Sequence, residues 1–103
     1  MSHPIIYKAA QARLEEIWDY TLVKWGEEQA DKYLRELAAT MRSISTSRHL
    51  WKPLRDKRLT GVSFIRSGNH VIFFREIQGQ IAIISILHQS MDILQRLLED
   101  LPI

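Results

Sequence analysis

The chain contains no cysteine, and only three prolines and four glycines among its 103 residues. Without cysteine there is no disulfide frame, no thiolate zinc site, no iron-sulfur cluster and no cysteine nucleophile. The few glycines form neither a phosphate-binding loop nor a dinucleotide fingerprint. His3, His49, His70 and His88 are scattered, and no two have the i, i+4 spacing that sets imidazoles on one helical metal-binding face, so no metal and no cofactor are expected. Long apolar runs are missing as well. The longest, Ile81 to Leu87, is interrupted by Ser85 and falls far short of the ~20 residues a membrane helix needs. The start, Met1-Ser2-His3-Pro4, lacks the basic end and apolar stretch of a secretory signal, so a cytoplasmic location without membrane contact is expected.

What is present is a hydrophobic content of 46% with 25% charged residues, the balance of one small globular domain over residues 1–103. The net charge of +2 averages unequal parts. Residues 1–47 sum to −1, residues 48–75 to +6 and residues 76–103 to −3. A basic middle segment between acidic ends is either a contact surface for an anionic partner or a solvated face balanced by neighbouring acids.

Periodicity organises the rest. Ile5-Ile6-Tyr7 is a short β-rich run. Leu14, Ile17, Trp18, Thr21, Leu22 and Trp25 then recur at three and four, and Gly26 breaks the pattern. Ala30, Tyr33, Leu34, Leu37, Ala38, Met41 and Ile44 form a second stripe, with acids in its first turns and arginines near its end, the order the helix dipole favours. So short a connection predicts an antiparallel helical hairpin over residues 9–46. Residues 45–60, with Pro53, read as a polar, basic loop. After Gly61 the period falls to two: Val62, Phe64 and Arg66 alternate with Ser63 and Ile65, Ser67-Gly68-Asn69 turns, and Val71 to Ile77 makes the next strand. Gln78-Gly79 turns again before Ile81 to Leu87. Ile93, Leu94, Leu97, Leu98 and Leu101 mark a last amphipathic helix, with Ser90 or Asp92 as N-cap and Pro102 as the stop. The order β-αα-βββ-α predicts an α+β fold, a helical hairpin packed on a small, mainly antiparallel sheet with a short C-terminal helix.

One constellation carries chemistry: Arg58, Arg66, His70, Arg75 and His88. Guanidinium and imidazole groups gathered on a sheet can hold a phosphodiester and supply a proton donor, although no general base stands out. The structural alternative pairs Arg75 with Glu76 or Asp92 and uses His88 to anchor the turn into the last helix. Acid pairs such as Glu15-Glu16 and Glu27-Glu28 read as solvated helix surface. Trp18, Trp25 and Tyr33 lie on the helical stripes and are expected in the core. Trp51 sits among Arg48, Lys52 and Arg55, as either a lid on the core or an exposed binding anchor.

Three blocks resemble a known family. Residues Ala9 to Tyr20, Trp25-Gly26, Gln29-Ala30 and Tyr33 to Leu37 look like the helical hairpin of ParE toxins. Gly68-Asn69-His70-Val71-Ile72-Phe73-Phe74-Arg75 is similar to their GSHxxFYR strand, and Ile86-Leu87-His88-Gln89-Ser90-Met91-Asp92 to their VLHQxMD ending. Together, in order and with matching spacing, the blocks span nearly the whole chain.

The resemblance implies the RelE/ParE-like fold and the toxin of a type II toxin-antitoxin system, of the kind linked to plasmid stabilization. Such a toxin inhibits DNA gyrase by binding, without catalysis of its own. It is held in a hetero-oligomer by a ParD-like antitoxin, whose ribbon-helix-helix domain alone contacts operator DNA. Arg58, Arg66, His70, Arg75, His88 and Trp51 are then candidate contacts to target or antitoxin. The alternative is a ribosome-dependent mRNA endonuclease like RelE. In many of those a His-Arg pair follows the last strand with a Tyr beyond it, whereas here only His88 is kept and neutral Gln89 replaces the cation. ParE toxins often carry an Arg two residues past the connector glycine, where this chain has Ser63 after Gly61-Val62, leaving Arg58 and Arg66 as the cations placed to stand in.

Overall fold

The computed structural model describes residues 3–90 and 92–101. Strand β1 (Ile5–Ile6) leads into helix α1 (Lys8–Trp25), and Gly26 alone separates it from α2 (Glu27–Ser43). Gly26 has φ +93°, a conformation that ends α1 and starts α2 within one residue. A connector follows, then β3 (Ser63–Ser67), β4 (His70–Ile77), β5 (Gln80–His88) and α3 (Ile93–Asp100). The periodicity places each of these elements. The connector, read as loop, holds three 3₁₀ turns and a two-residue strand, β2 (Lys52–Pro53), which pairs with the start of β3. Proline is tolerated there because β2 is an edge strand.

The five strands lie in the order β1-β5-β4-β3-β2. Among the described residues only β1 runs parallel to its neighbour. The hairpin α1/α2 covers one face, packing Ile17, Leu37 and Met41 on Ile72, Phe74 and Ile86. Helix α3 covers the other, packing Leu97 on Phe73, Ile84 and Leu87. Consecutive Phe73 and Phe74 are 2% and 0% exposed, so the centre of β4 is closed from both sides. Each ring contributes ~2–3 kcal/mol by burial alone. In β5 one residue is extra: Phe73 opposes Ser85 while Phe74 opposes Ile83, so Ile84 is a bulge that shifts the strand's parity.

The aromatic expectation for α1 is corrected at Trp25, which is 65% exposed. Every residue from Leu22 to Gln29 is exposed, so the hairpin tip stands clear of the sheet and the end of the stripe has nothing to pack on. Helix α3 is N-capped by Asp92, whose carboxylate accepts from the Gln95 amide at 3.5 Å. Its expected stop, Pro102, lies outside the described residues.

The β4-β5 turn places Gln78 at φ +50° and Gly79 at φ +80°. Two positive φ values in a two-residue hairpin are the pattern that favours Asn-Gly. Gln78→Asn should therefore stabilise the fold by roughly 0.5 kcal/mol, by relieving part of the left-handed cost of a side chain that cannot bond locally. A urea midpoint that does not rise would contradict this.

Candidate functional site

Strand parity decides where the candidate residues go. His70 and His88 are directly opposed across β4 and β5, and both share the face of Ile72 and Ile86, under the helical hairpin. Arg66 opposes Val71, and Arg75 is two residues from Phe73, so both point to the α3 face. The constellation is therefore divided by the sheet: the imidazoles lie on one side and the two strand guanidiniums on the other. Arg58 is in a 3₁₀ turn of the connector, clamped by Asp56 through Nε–Oδ1 and Nη2–Oδ2 contacts of 3.1 Å each. That clamp holds the Asp56 carboxyl below its ordinary range.

The imidazoles form a built site. Tyr33 of α2 reaches over the β3-β4 turn, and its hydroxyl lies 2.6 Å from His70 Nδ1 while accepting the Asn69 amide at 3.2 Å. Burial raises the Tyr33 pKa, so the phenol keeps its proton and donates it to Nδ1. Gly68 makes room for this, since a Cβ there would lie 2.9 Å from the Tyr33 oxygen. Ser90 caps His88 from the turn beyond β5, its amide at 3.1 Å and its hydroxyl at 2.6 Å from Nδ1. His88 thus anchors the turn toward the last helix, as the structural alternative expected. The two rings meet edge to face with centroids 5.2 Å apart. Burial, and then the neighbouring His88, push His70 from an ordinary 6.5 down to about 4. Both Nδ1 atoms accept, so each ring carries its proton on Nε2.

A cavity of about 340 Å³ opens beside the pair, between α1 and the ends of β4 and β5. Ile17, Tyr20 and Thr21 form one wall and Ile86 with the two histidines the other. At its rim Arg13 makes a two-pronged contact with Asp100 of α3, Nε to Oδ2 at 2.8 Å and Nη2 to Oδ1 at 3.1 Å. Asp100 also accepts from Ser85, a fully buried hydroxyl of β5, at 2.6 Å. Arg13 and Asp100 were no part of the predicted constellation, and a separation of 87 residues leaves no local signal for the pair.

Arg75 corrects the structural alternative. Neither Glu76 nor Asp92 pairs with it: Glu76 points to the opposite face and is held bidentately by Arg48, and Asp92 caps α3. The Arg75 Nε is buried and has no partner among the described residues. Of the seven cations in residues 48–75, Arg48 and Arg58 are the two in ion pairs among the described residues. Trp51 lies as a lid, donating its indole N–H to the Ile44 carbonyl at 2.8 Å and packing edge-on against Phe74 at 4.9 Å. The Arg48 guanidinium stacks on its other side at 4.6 Å. Among the described residues there is no group of three or more potential metal ligands, and no helix long and apolar enough to cross a membrane.

A helical hairpin and a short terminal helix on opposite faces of such a sheet make a fold shared with solved structures. One solved structure of this shape is a chain of the chromosomal ParDE system from P. aeruginosa, with a TM-score of 0.69 and 21% identity over 84% of this chain and 98% of that one. Another is a chain of a RelBE toxin-antitoxin complex from Mycobacterium tuberculosis, with a TM-score of 0.54 and 18% identity over 86% of this chain and 100% of that one. Sequence makes the assignment narrower. Residues 5–93 match the family described as ParE toxin of type II toxin-antitoxin system, parDE. Toxin ParE1 of Mycobacterium tuberculosis is 37% identical over 89% of this chain and 94% of its own length, and Toxin ParE1 of Caulobacter vibrioides is 40% identical over 82% and 86%. The chain belongs to the ParE toxin family.

Proposed function

We propose that this toxin acts in the cytoplasm by binding DNA gyrase and blocking supercoiling, without a catalytic step of its own. A ParD-like antitoxin holds it inactive, and the ribbon-helix-helix domain of that antitoxin carries the pair to operator DNA. The observation that supports binding over catalysis is the division of the constellation. A phosphodiester held by Arg66 and Arg75 would lie across the sheet from His70 and His88. With a pKa of about 4 and its Nδ1 engaged, His70 is a weak base at neutral pH. Exposed, neutral Gln89 follows His88, where a cation would serve RNA cleavage.

Antitoxin recognition follows from charge. The cations of residues 48–75 without a carboxylate partner among the described residues, Arg66 and Arg75 included, suit an acidic segment that orders on binding. Arg66→Glu with Arg75→Glu should slow association with the antitoxin about tenfold at low ionic strength, and the difference should shrink near ~0.5 M salt. Unchanged association rates would contradict this contact surface.

Pulse-labelling after induction without antitoxin tests the target. DNA synthesis should fail first, with translation continuing. Immediate loss of translation with discrete mRNA cuts would overturn the gyrase reading in favour of a RelE-like endonuclease.

A further inference from the structure

The cavity at the histidine pair has a chemistry that the gyrase reading does not use. With Nδ1 of His70 taken by Tyr33 and Nδ1 of His88 by Ser90, the polar group left on each ring is its Nε2–H, and both rings line the cavity. The charged groups on the wall are Arg13 and Glu16, and Arg13 is spent on Asp100 and Glu16. That leaves a surplus of negative charge at the rim, which opposes an anion. Two N–H donors oppose a cation or a second donor. Most of the remaining wall is apolar, from Ile17, Ile86 and the Tyr20 ring.

The outer wall continues as exposed surface. Tyr20 is 62% exposed and Trp25 65%, and Lys24 joins them, its Nζ bonded to the Tyr20 hydroxyl at 3.0 Å and set 5.9 Å from the centroid of the Trp25 ring. An aromatic strip thus leads from the mouth of the cavity to the hairpin tip. A free small molecule would leave it bare, whereas a protein segment lying along α1 would cover it.

We propose that the cavity binds an uncharged hydrogen-bond acceptor on an apolar side chain of the antitoxin, recognised by the Nε2–H groups of His70 and His88, with Tyr20 and Trp25 covered by the same segment. The partner rests on the toxin-antitoxin reading; the ligand chemistry rests on the cavity alone.

Long-range ¹H–¹⁵N spectra of the histidine-labelled full chain test both parts. In the free protein both rings should show the Nε2–H tautomer. Benzamide should shift both Nε2 signals saturably, with benzoate and toluene at least about tenfold weaker, and His88→Phe should weaken benzamide by about three- to tenfold. Since that variant also loses the Ser90 cap, the wild-type tautomers and ligand ranking stand as the independent measurement. Adding the cognate antitoxin should move the same signals and displace benzamide. No saturable benzamide shift, or benzoate binding as tightly, would overturn the ligand chemistry. Antitoxin bound with benzamide still in place would overturn the assigned partner while leaving the toxin-antitoxin reading intact. Benzamide binding without any antitoxin association would instead overturn that reading and the assigned partner with it. Signals that move with protein concentration alone would identify a second copy as occupant, against the proposal.

Discussion

Arg13→Ala should cost about 3–5 kcal/mol of folding stability, a large share of what a domain this size has. The Arg13 and Asp100 side chains are 13% and 10% exposed, so removing the guanidinium leaves a largely desolvated carboxylate with Ser85 as its remaining partner. Breaking one side of such a pair is far more damaging than the pair is stabilising, because the surviving charge is left without its counter-ion in a largely desolvated place. The contact also joins three layers, α1, β5 and α3. Its loss should therefore loosen α3 and uncover Phe73, Ile84 and Leu87. Arg13→Lys keeps the charge but not the two-pronged geometry and should lie between alanine and wild type. Urea unfolding of the three proteins checks the order. A loss below about 1 kcal/mol for Arg13→Ala would show that the pair behaves as a surface contact.

Acid should destabilise the protein through His70 between pH 6.5 and pH 4, by about 1–2 kcal/mol once solvent screening of the half-buried ring is allowed for. The imidazole has an ordinary pKa of 6.5 and about 4 in the fold, chiefly from burial and then from His88. The unfolded chain therefore binds the proton first as the pH falls. The stabilisation is complete above pH 6.5, declines below it and is gone once the pH is under about 4. Protonation also removes the Nδ1 lone pair that accepts from Tyr33, so the same titration weakens the tie between α2 and the β3-β4 turn and leaves the Asn69 amide on the Tyr33 oxygen. Asp56 and Glu76, both held low by arginines, act in the same direction but further into acid, their contributions fading below about pH 3.8 and pH 4.5 respectively. His70→Gln separates the contributions. Its unfolding free energy should be nearly flat from pH 7 to pH 5.5, where wild type already slopes, and equal slopes would contradict the assignment.

Most of the architecture was legible because it rests on period. The change from three-and-four spacing to alternation, with Gly26 and Gly79 at the breaks, places the hairpin and the three long strands. Part of the site was there to be read but was grouped wrongly: simple alternation after the turn Ser67-Gly68-Asn69 separates His70 from Arg75 across β4, whereas the constellation chosen by residue type holds both. Position along β5 was not, since the bulge at Ile84 reverses parity and lets Ile83 and Ile86 share a face. The Arg13-Asp100 pair and the Tyr33-His70 contact join residues 87 and 37 positions apart, and nothing local marks them. The two-residue strand at Lys52–Pro53 was hidden by its proline. Exposure of Trp25 could not be read from the stripe, because a stripe shows which side of a helix is apolar and not where the sheet beneath it ends.

Under the proposed function this toxin works by occupying its target, with no turnover. The most direct measurement is gyrase supercoiling in vitro, titrated with purified toxin in the absence of antitoxin. Inhibition should rise with toxin occupancy of gyrase and be reversed when antitoxin is added back. Supercoiling that stays untouched, at concentrations where expression of the toxin arrests growth, would contradict it.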